Sequence, residues 1–111
     1  MVIDFNNIPE EKKFNFKGGV GELDSRDYID ENNKIMFSRL KPGASSGHHS
    51  HDGSSEIAYI ISGEATFKYD DTEEVVKAGQ AHYCPEGHNH SMHNRGNEDI
   101  VYLAIVPTHK K

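Results

Sequence analysis

The sequence has 111 residues, room for a single domain over 1–111 with an ordinary hydrophobic core. Its 12 Lys and Arg against 18 Asp and Glu leave a formal charge of −6, which speaks against the basic face that nucleic-acid binding needs and against docking on anionic membranes. Cys84 is the single cysteine, so no intrachain disulfide forms and a cytoplasmic location is expected.

The opening residues, MVIDFNNIPEEKK, lack the basic and apolar regions of a signal peptide, and no apolar run approaches the ~20 residues that span a bilayer. Met1 to Lys13 is the one helix candidate, and Pro9 interrupts it. The chain then predicts short strands punctuated by turn formers. Lys34–Lys41 (KIMFSRLK) runs into Pro42-Gly43, and Glu56–Ile61 (EIAYII) into Ser62-Gly63. Ala65–Tyr69 turns at Asp70-Asp71-Thr72, and Glu74–Lys77 stops at Ala78-Gly79. Ala81–Cys84 ends at Pro85, His90–Asn94 precedes Arg95-Gly96-Asn97, and Ile100–Val106 is the most apolar run and reads as a buried strand. Many short strands at even spacing predict an all-β sandwich, barrel or jelly roll.

Alternation orients side chains within these strands. If Glu56 faces inward, so do Ala58 and Ile60, while Ile57, Tyr59 and Ile61 face away. If His90 faces inward, so do Met92 and Asn94, and His93 faces away. For Ala81–Cys84 two phases stay open: either Ala81 and Tyr83 or His82 and Cys84 face the interior. In Lys34–Lys41, Phe37 and Arg39 share one face, and Met36, Ser38 and Leu40 the other. An inward Arg39 would pair with an anionic substrate; a solvated Arg39 is the preferred reading. Cys84 reads as a small buried hydrophobe, and Tyr83 and Tyr102 as packing residues, with a phenol offered to a substrate as the alternative.

Eight histidines need a reason. His49 and His51 are two apart and point to one side of an extended segment. Glu56 opens an otherwise apolar strand, where a carboxylate needs a partner, and His90 lies in a second strand-like segment. Imidazoles with one carboxylate suit a single divalent transition metal, with iron, manganese, zinc, nickel and copper all open. His48, His82, His88, His93 and His109 read as surface or hydrogen-bonding residues.

The spacing resembles the two motifs of the cupin superfamily. Gly43, ASSGH, His49-Ser50-His51, DGSS, Glu56, IAYIIS and Gly63 match the first at every fixed position. Gly79, QAHYC, Pro85-Glu86-Gly87, HN, His90, SMH and Asn94 match the second in the same way. Gln80 departs from the Asp that many cupins place after the motif glycine. The resemblance, to the small microbial cupins, implies a double-stranded β-helix, the jelly-roll barrel. It implies that His49, His51, Glu56 and His90 ligate one metal inside it, and that the chain forms a homodimer. It also implies a small-molecule ligand or substrate. A metal-dependent dioxygenase, decarboxylase, isomerase or lyase is the leading expectation. A non-catalytic binding or sensing module is the alternative, and a purely structural protein a third.

Overall fold

The computed structural model describes residues 1–109, so the last two positions of the expected domain lie outside the described residues. Ten strands follow one another: β1 (Glu11–Phe14), β2 (Glu22–Ile29), β3 (Asn33–Leu40), β4 (His49–Ser50), β5 (Glu56–Ser62), β6 (Glu64–Tyr69), β7 (Thr72–Lys77), β8 (Ala81–Cys84), β9 (Asn89–His93) and β10 (Ile100–Pro107). They form a six-stranded sheet in the order β1-β2-β3-β10-β5-β8 and a four-stranded sheet in the order β4-β9-β6-β7. Among the described residues these strands pair antiparallel throughout, as a double-stranded β-helix requires. Among the described residues, no helix is long and apolar enough to cross a membrane.

The apolar run of β10 occupies the middle of the larger sheet, paired with β3 on one side and β5 on the other. Its Tyr102 and Ala104 join Ala58 and Ile60 of β5, Leu40 of β3, and Phe67 and Met92 of the smaller sheet in one core. β5 alternates as expected: Ala58 and Ile60 are fully enclosed, and Ile57, Tyr59 and Ile61 are exposed on the outer face. Gly63 turns β5 into β6 with φ of +84°, and a Cβ there would stand 2.7 Å from the Asp99 carbonyl oxygen. Only glycine meets both conditions cheaply.

Two departures from the sequence expectations concern the N-terminal third. Met1–Lys13 is not a helix. Phe5–Asn7 makes a single 3₁₀ turn capped by the Asp4 carboxylate, and Glu11–Phe14 is strand. Ile8, before Pro9, is extended (φ −100°, ψ 123°), the conformation a following proline imposes. Arg26 ties the segment down by donating to the carbonyls of Ile8 (2.7 Å) and Phe5 (3.2 Å). The second departure is β2, which the pattern of apolar residues did not mark. Its sequence, ELDSRDYI, carries charges and a serine because Ser25 and Asp27 line a polar cavity rather than a hydrocarbon core.

Candidate metal centre and its cavity

β4 and β9 pair so that His49 stands directly opposite His90. β5, in the other sheet, brings Glu56 to the same point. The His90 Nε2 atom lies 3.0 Å from His51 Nε2 and 3.2 Å from His49 Nε2. Glu56 Oε1 lies 3.1 Å from His51 Nε2 and 3.4 Å from His90 Nε2. One ligand atom from each of the four residues thus falls within 4.8 Å of the others, a group able to hold a metal ion. Donors about 2.1 Å from a common centre are separated by about 3.0 Å at octahedral and about 3.4 Å at tetrahedral angles, so the spacing suits either geometry.

The outer nitrogens make the donor set more specific. His49 Nδ1 faces the Gly47 carbonyl at 2.7 Å, and a carbonyl only accepts, so the proton sits on Nδ1. His51 Nδ1 is 3.3 Å from Ser54 Oγ, and His90 Nδ1 is 3.0 Å from His82 Nε2. Where Ser54 and His82 accept from the other two as Gly47 does from His49, all three neutral rings turn their Nε2 lone pairs toward one another and toward a carboxylate. Such a convergence is repulsive unless a cation sits in it. Burial tends to raise the Glu56 carboxyl; with no cation between them, a proton carried on Nε2 by His51 and His90 outweighs it and holds the group well below the usual carboxylate range. Burial lowers His49, against the opposing pull of the Gly47 carbonyl.

The group opens onto a cavity of about 410 Å³. Phe67, Met92 and Ala104 give it apolar walls, and Ser25, Ser38 and Tyr102 a hydroxyl wall. Ser25 Oγ is 2.8 Å from Ser38 Oγ and also bonds Asp27, whose other oxygen takes a 2.6 Å contact from Lys13. Burial, reinforced by the nearby Glu56 charge, pushes the Tyr102 phenol up, so it remains an O–H donor. Lys13, Lys17 and Lys34 also line the cavity.

The phase left open at Ala81–Cys84 is settled: His82 and Cys84 are enclosed, and Ala81 and Tyr83 are exposed. His82, Cys84 and His90 form a second compact group of donor types. It is a poor metal site. His82 Nε2 and His90 Nδ1 are occupied with each other, and burial, with the Glu56 charge, pushes the Cys84 thiol up to about 11. His93 turns from the cluster and meets Ser91 at 2.9 Å. His48 pairs with Asn89, His88 with Asp70 and His109 with Ser55. Arg39 lies on the outer face, bound to Glu10 at 2.7 Å and 3.4 Å from Asp24, so it does not reach a substrate in the cavity.

The cavity residues Ser25, Ser38 and Asp27, and the engagement of His82 by Glu74, are not visible in the sequence motifs. One usable signal was Cys84. Cysteine is among the most often buried residue types, and an inward Cys84 makes His82 inward too. Glu74 sits in TEEVVK without any distinguishing pattern.

A family model described as a cupin domain matches residues 36–106. The chain is 35% identical over 112 residues to an oxalate-binding protein of Thermotoga maritima, covering 96% of this chain and 93% of the relative. A crystal structure described as a predicted oxalate decarboxylase of Thermotoga maritima superposes with a TM-score of 0.90 at 32% identity, over 97% of this chain and 99% of the other. A sugar phosphate isomerase of Silicibacter pomeroyi, from a cupin superfamily, superposes with a TM-score of 0.78 over 96% of this chain and 75% of the other. At 19% identity it shows the fold alone.

Proposed function

The chain belongs to the cupin family, and from that premise we propose that His49, His51, Glu56 and His90 hold one divalent transition metal ion beside which the cavity binds a small dicarboxylate of the oxalate class. The observation that carries this reading is the convergence of the Nε2 atoms and the Glu56 carboxylate within 3.0–3.4 Å. Bare imidazoles with one carboxylate fit iron, manganese, zinc, nickel or copper. A divalent ion held there supplies positive charge and open positions for carboxylate oxygens.

The chain's own residues supply the rest. The Tyr102 O–H offers a hydrogen bond to an oxygen at the other end of a short dianion, while the Ser25 proton goes to Asp27 and the Ser38 proton to Ser25. Phe67 and Met92 exclude water, which strengthens those contacts. Lys13, Lys17 and Lys34 balance the Asp27, Asp52 and Glu56 carboxylates in the lining, so in a chain of net charge −6 the cavity is neutral and a bound divalent ion would give it the excess positive charge an anion needs. The relative named for oxalate binding supports the ligand class.

Decarboxylation is the second reading, favoured by the description of the superposed Thermotoga protein. Breaking the carbon–carbon bond of hydrogen oxalate releases carbon dioxide and requires a proton on the carbon that becomes formate. Asp27, a cavity carboxylate outside the four-residue cluster, is already engaged by Lys13 and Ser25. Asp52, the other lining carboxylate outside the cluster, is the remaining candidate for that proton.

The deciding experiment combines elemental analysis of untagged protein, purified without chelator, with calorimetric titration of oxalate. His49→Ala runs alongside. Expected are near-stoichiometric metal, metal-dependent oxalate binding, and loss of both in the variant. Absence of metal after attempted reloading would overturn the reading. Release of formate and carbon dioxide by the loaded protein would move decarboxylation to the front.

A further inference from the structure

His82 has no part in the reading above, yet its side chain is wholly enclosed. Its ring lies parallel to Phe67, with centroids 3.9 Å apart at 13°, and edge-on to Tyr69 at 5.5 Å. Its Nδ1 is 2.6 Å from Oε1 of Glu74, a residue of β7 whose side chain is 44% exposed. Its Nε2 is 3.0 Å from Nδ1 of His90. A line of hydrogen bonds therefore runs from a carboxylate at the surface, through a clamped imidazole, to the back of a ring in the metal cluster.

For neutral rings these contacts admit one arrangement of protons. An ionised carboxylate only accepts, so His82 donates from Nδ1 and its Nε2 keeps a lone pair. His90 then donates from Nδ1, and its own Nε2 is bare. We propose that Glu74 and His82 are positioning residues that lock His90 in the Nδ1–H tautomer and so present its Nε2 to the site. The effect on metal affinity rests on the metal-binding reading; the tautomer itself does not. Without Glu74, His82 is free to carry its proton on Nε2. It then meets His90 Nδ1 as a donor and drives the His90 proton onto Nε2, into the space between His49, His51 and Glu56. Partners behind a metal-ligating histidine commonly set its tautomer and affinity in this way.

The test uses the full chain and two readouts. Long-range proton–nitrogen NMR of the metal-free protein, with its histidines neutral, reads the His90 tautomer directly. Titration with cobalt(II) reads affinity and the ligand-field bands of the bound ion. Glu74→Ala alters an exposed side chain. His82→Phe keeps the stack on Phe67 but offers no acceptor, and His82→Gln restores one through its amide oxygen. Expected are a bare His90 Nε2 in the wild type, a mixed tautomer in Glu74→Ala and His82→Phe, and cobalt affinity lower by about tenfold to a hundredfold in His82→Phe. His82→Gln is expected to recover most of that loss. A protonated His90 Nε2 in the wild type, or wild-type tautomer and affinity in both Glu74→Ala and His82→Phe, would overturn the inference. If the wild type takes up no cobalt while the tautomer shifts in the variants, the relay stands and the metal-binding reading falls.

Discussion

His49 and His90 stand directly opposite one another across the β4–β9 pair, with their Nε2 atoms 3.2 Å apart. The two residues are 41 positions apart in sequence, so one half of the cluster exists only once the smaller sheet is assembled. The opposing sheet then supplies Glu56.

This placement separates the proposed ligands from their neighbours. His49→Ala and His90→Ala are expected to lower metal affinity by at least about tenfold while the far-ultraviolet circular dichroism stays that of the wild type. His48→Ala and His93→Ala, which remove contacts to Asn89 and Ser91, are expected to retain the metal. Elemental analysis of the four variants checks the distinction, and metal loss in the second pair with retention in the first would refute the ligand set.

Metal occupancy is expected to fall as the pH drops below about 6, because protons then compete for the Nε2 lone pairs. Dialysis at a series of pH values followed by metal analysis reads this. Full occupancy at about pH 4.5 would contradict a site built on three imidazoles.

The metal-free protein should also lose stability with acid. Burial lowers His49, His82 and His93 from the ordinary value of 6.5. Below 6.5 the unfolded chain therefore binds more protons than the folded one, and stability declines as the pH falls toward the depressed folded-state values. Above 6.5 these groups are neutral in both states and add no slope. Thermal unfolding in chelator at pH values on either side of 6.5 measures the difference; a higher melting temperature on the acid side would show the sign to be wrong.

Tyr102→Phe and Ser38→Ala each remove a hydroxyl from the cavity wall. Tyr102→Phe is expected to weaken oxalate binding by about 0.5–1.5 kcal/mol, read by calorimetry on the metal-loaded protein, and Ser38→Ala, whose proton goes to Ser25, to weaken it less. Arg39→Ala should leave that affinity unchanged, since Arg39 is bound to Glu10 on the outer face.

Ile60→Ala removes a fully enclosed side chain from the core shared by β5 and β10. A loss of about 2–5 kcal/mol is expected in denaturant unfolding. A loss below about 1 kcal/mol would mean that the core closes around the gap.

The strands that were legible in the sequence are those with apolar contrast along them. In β5 the enclosed Ala58 and Ile60 alternate with outward Ile57, Tyr59 and Ile61, and a carboxylate at the start marks the site end. β2 lacked that contrast, because its inward face past Leu23 is Ser25 and Asp27, lining a polar cavity. The orientation of Ala81–Cys84 depended on the Glu56–Cys84 register, a long-range pairing that no local pattern encodes. Glu74 was invisible for a related reason. Its importance comes from standing against a histidine of a different sheet, and nothing within TEEVVK distinguishes it from its neighbour Glu73.

Gly47 serves two neighbours at once. Its amide donates to the carbonyl of Phe16, whose ring lines the cavity, and its carbonyl receives the proton of His49 Nδ1. A Cβ at this residue would lie 1.7 Å from the Lys17 carbonyl oxygen, so the two stretches of chain pack this closely only with glycine there. If the cluster holds an ion and the cavity an anion, Gly47 joins the two sites. By thermodynamic reciprocity, whatever factor an anion adds to the grip on the metal, the metal returns to the anion.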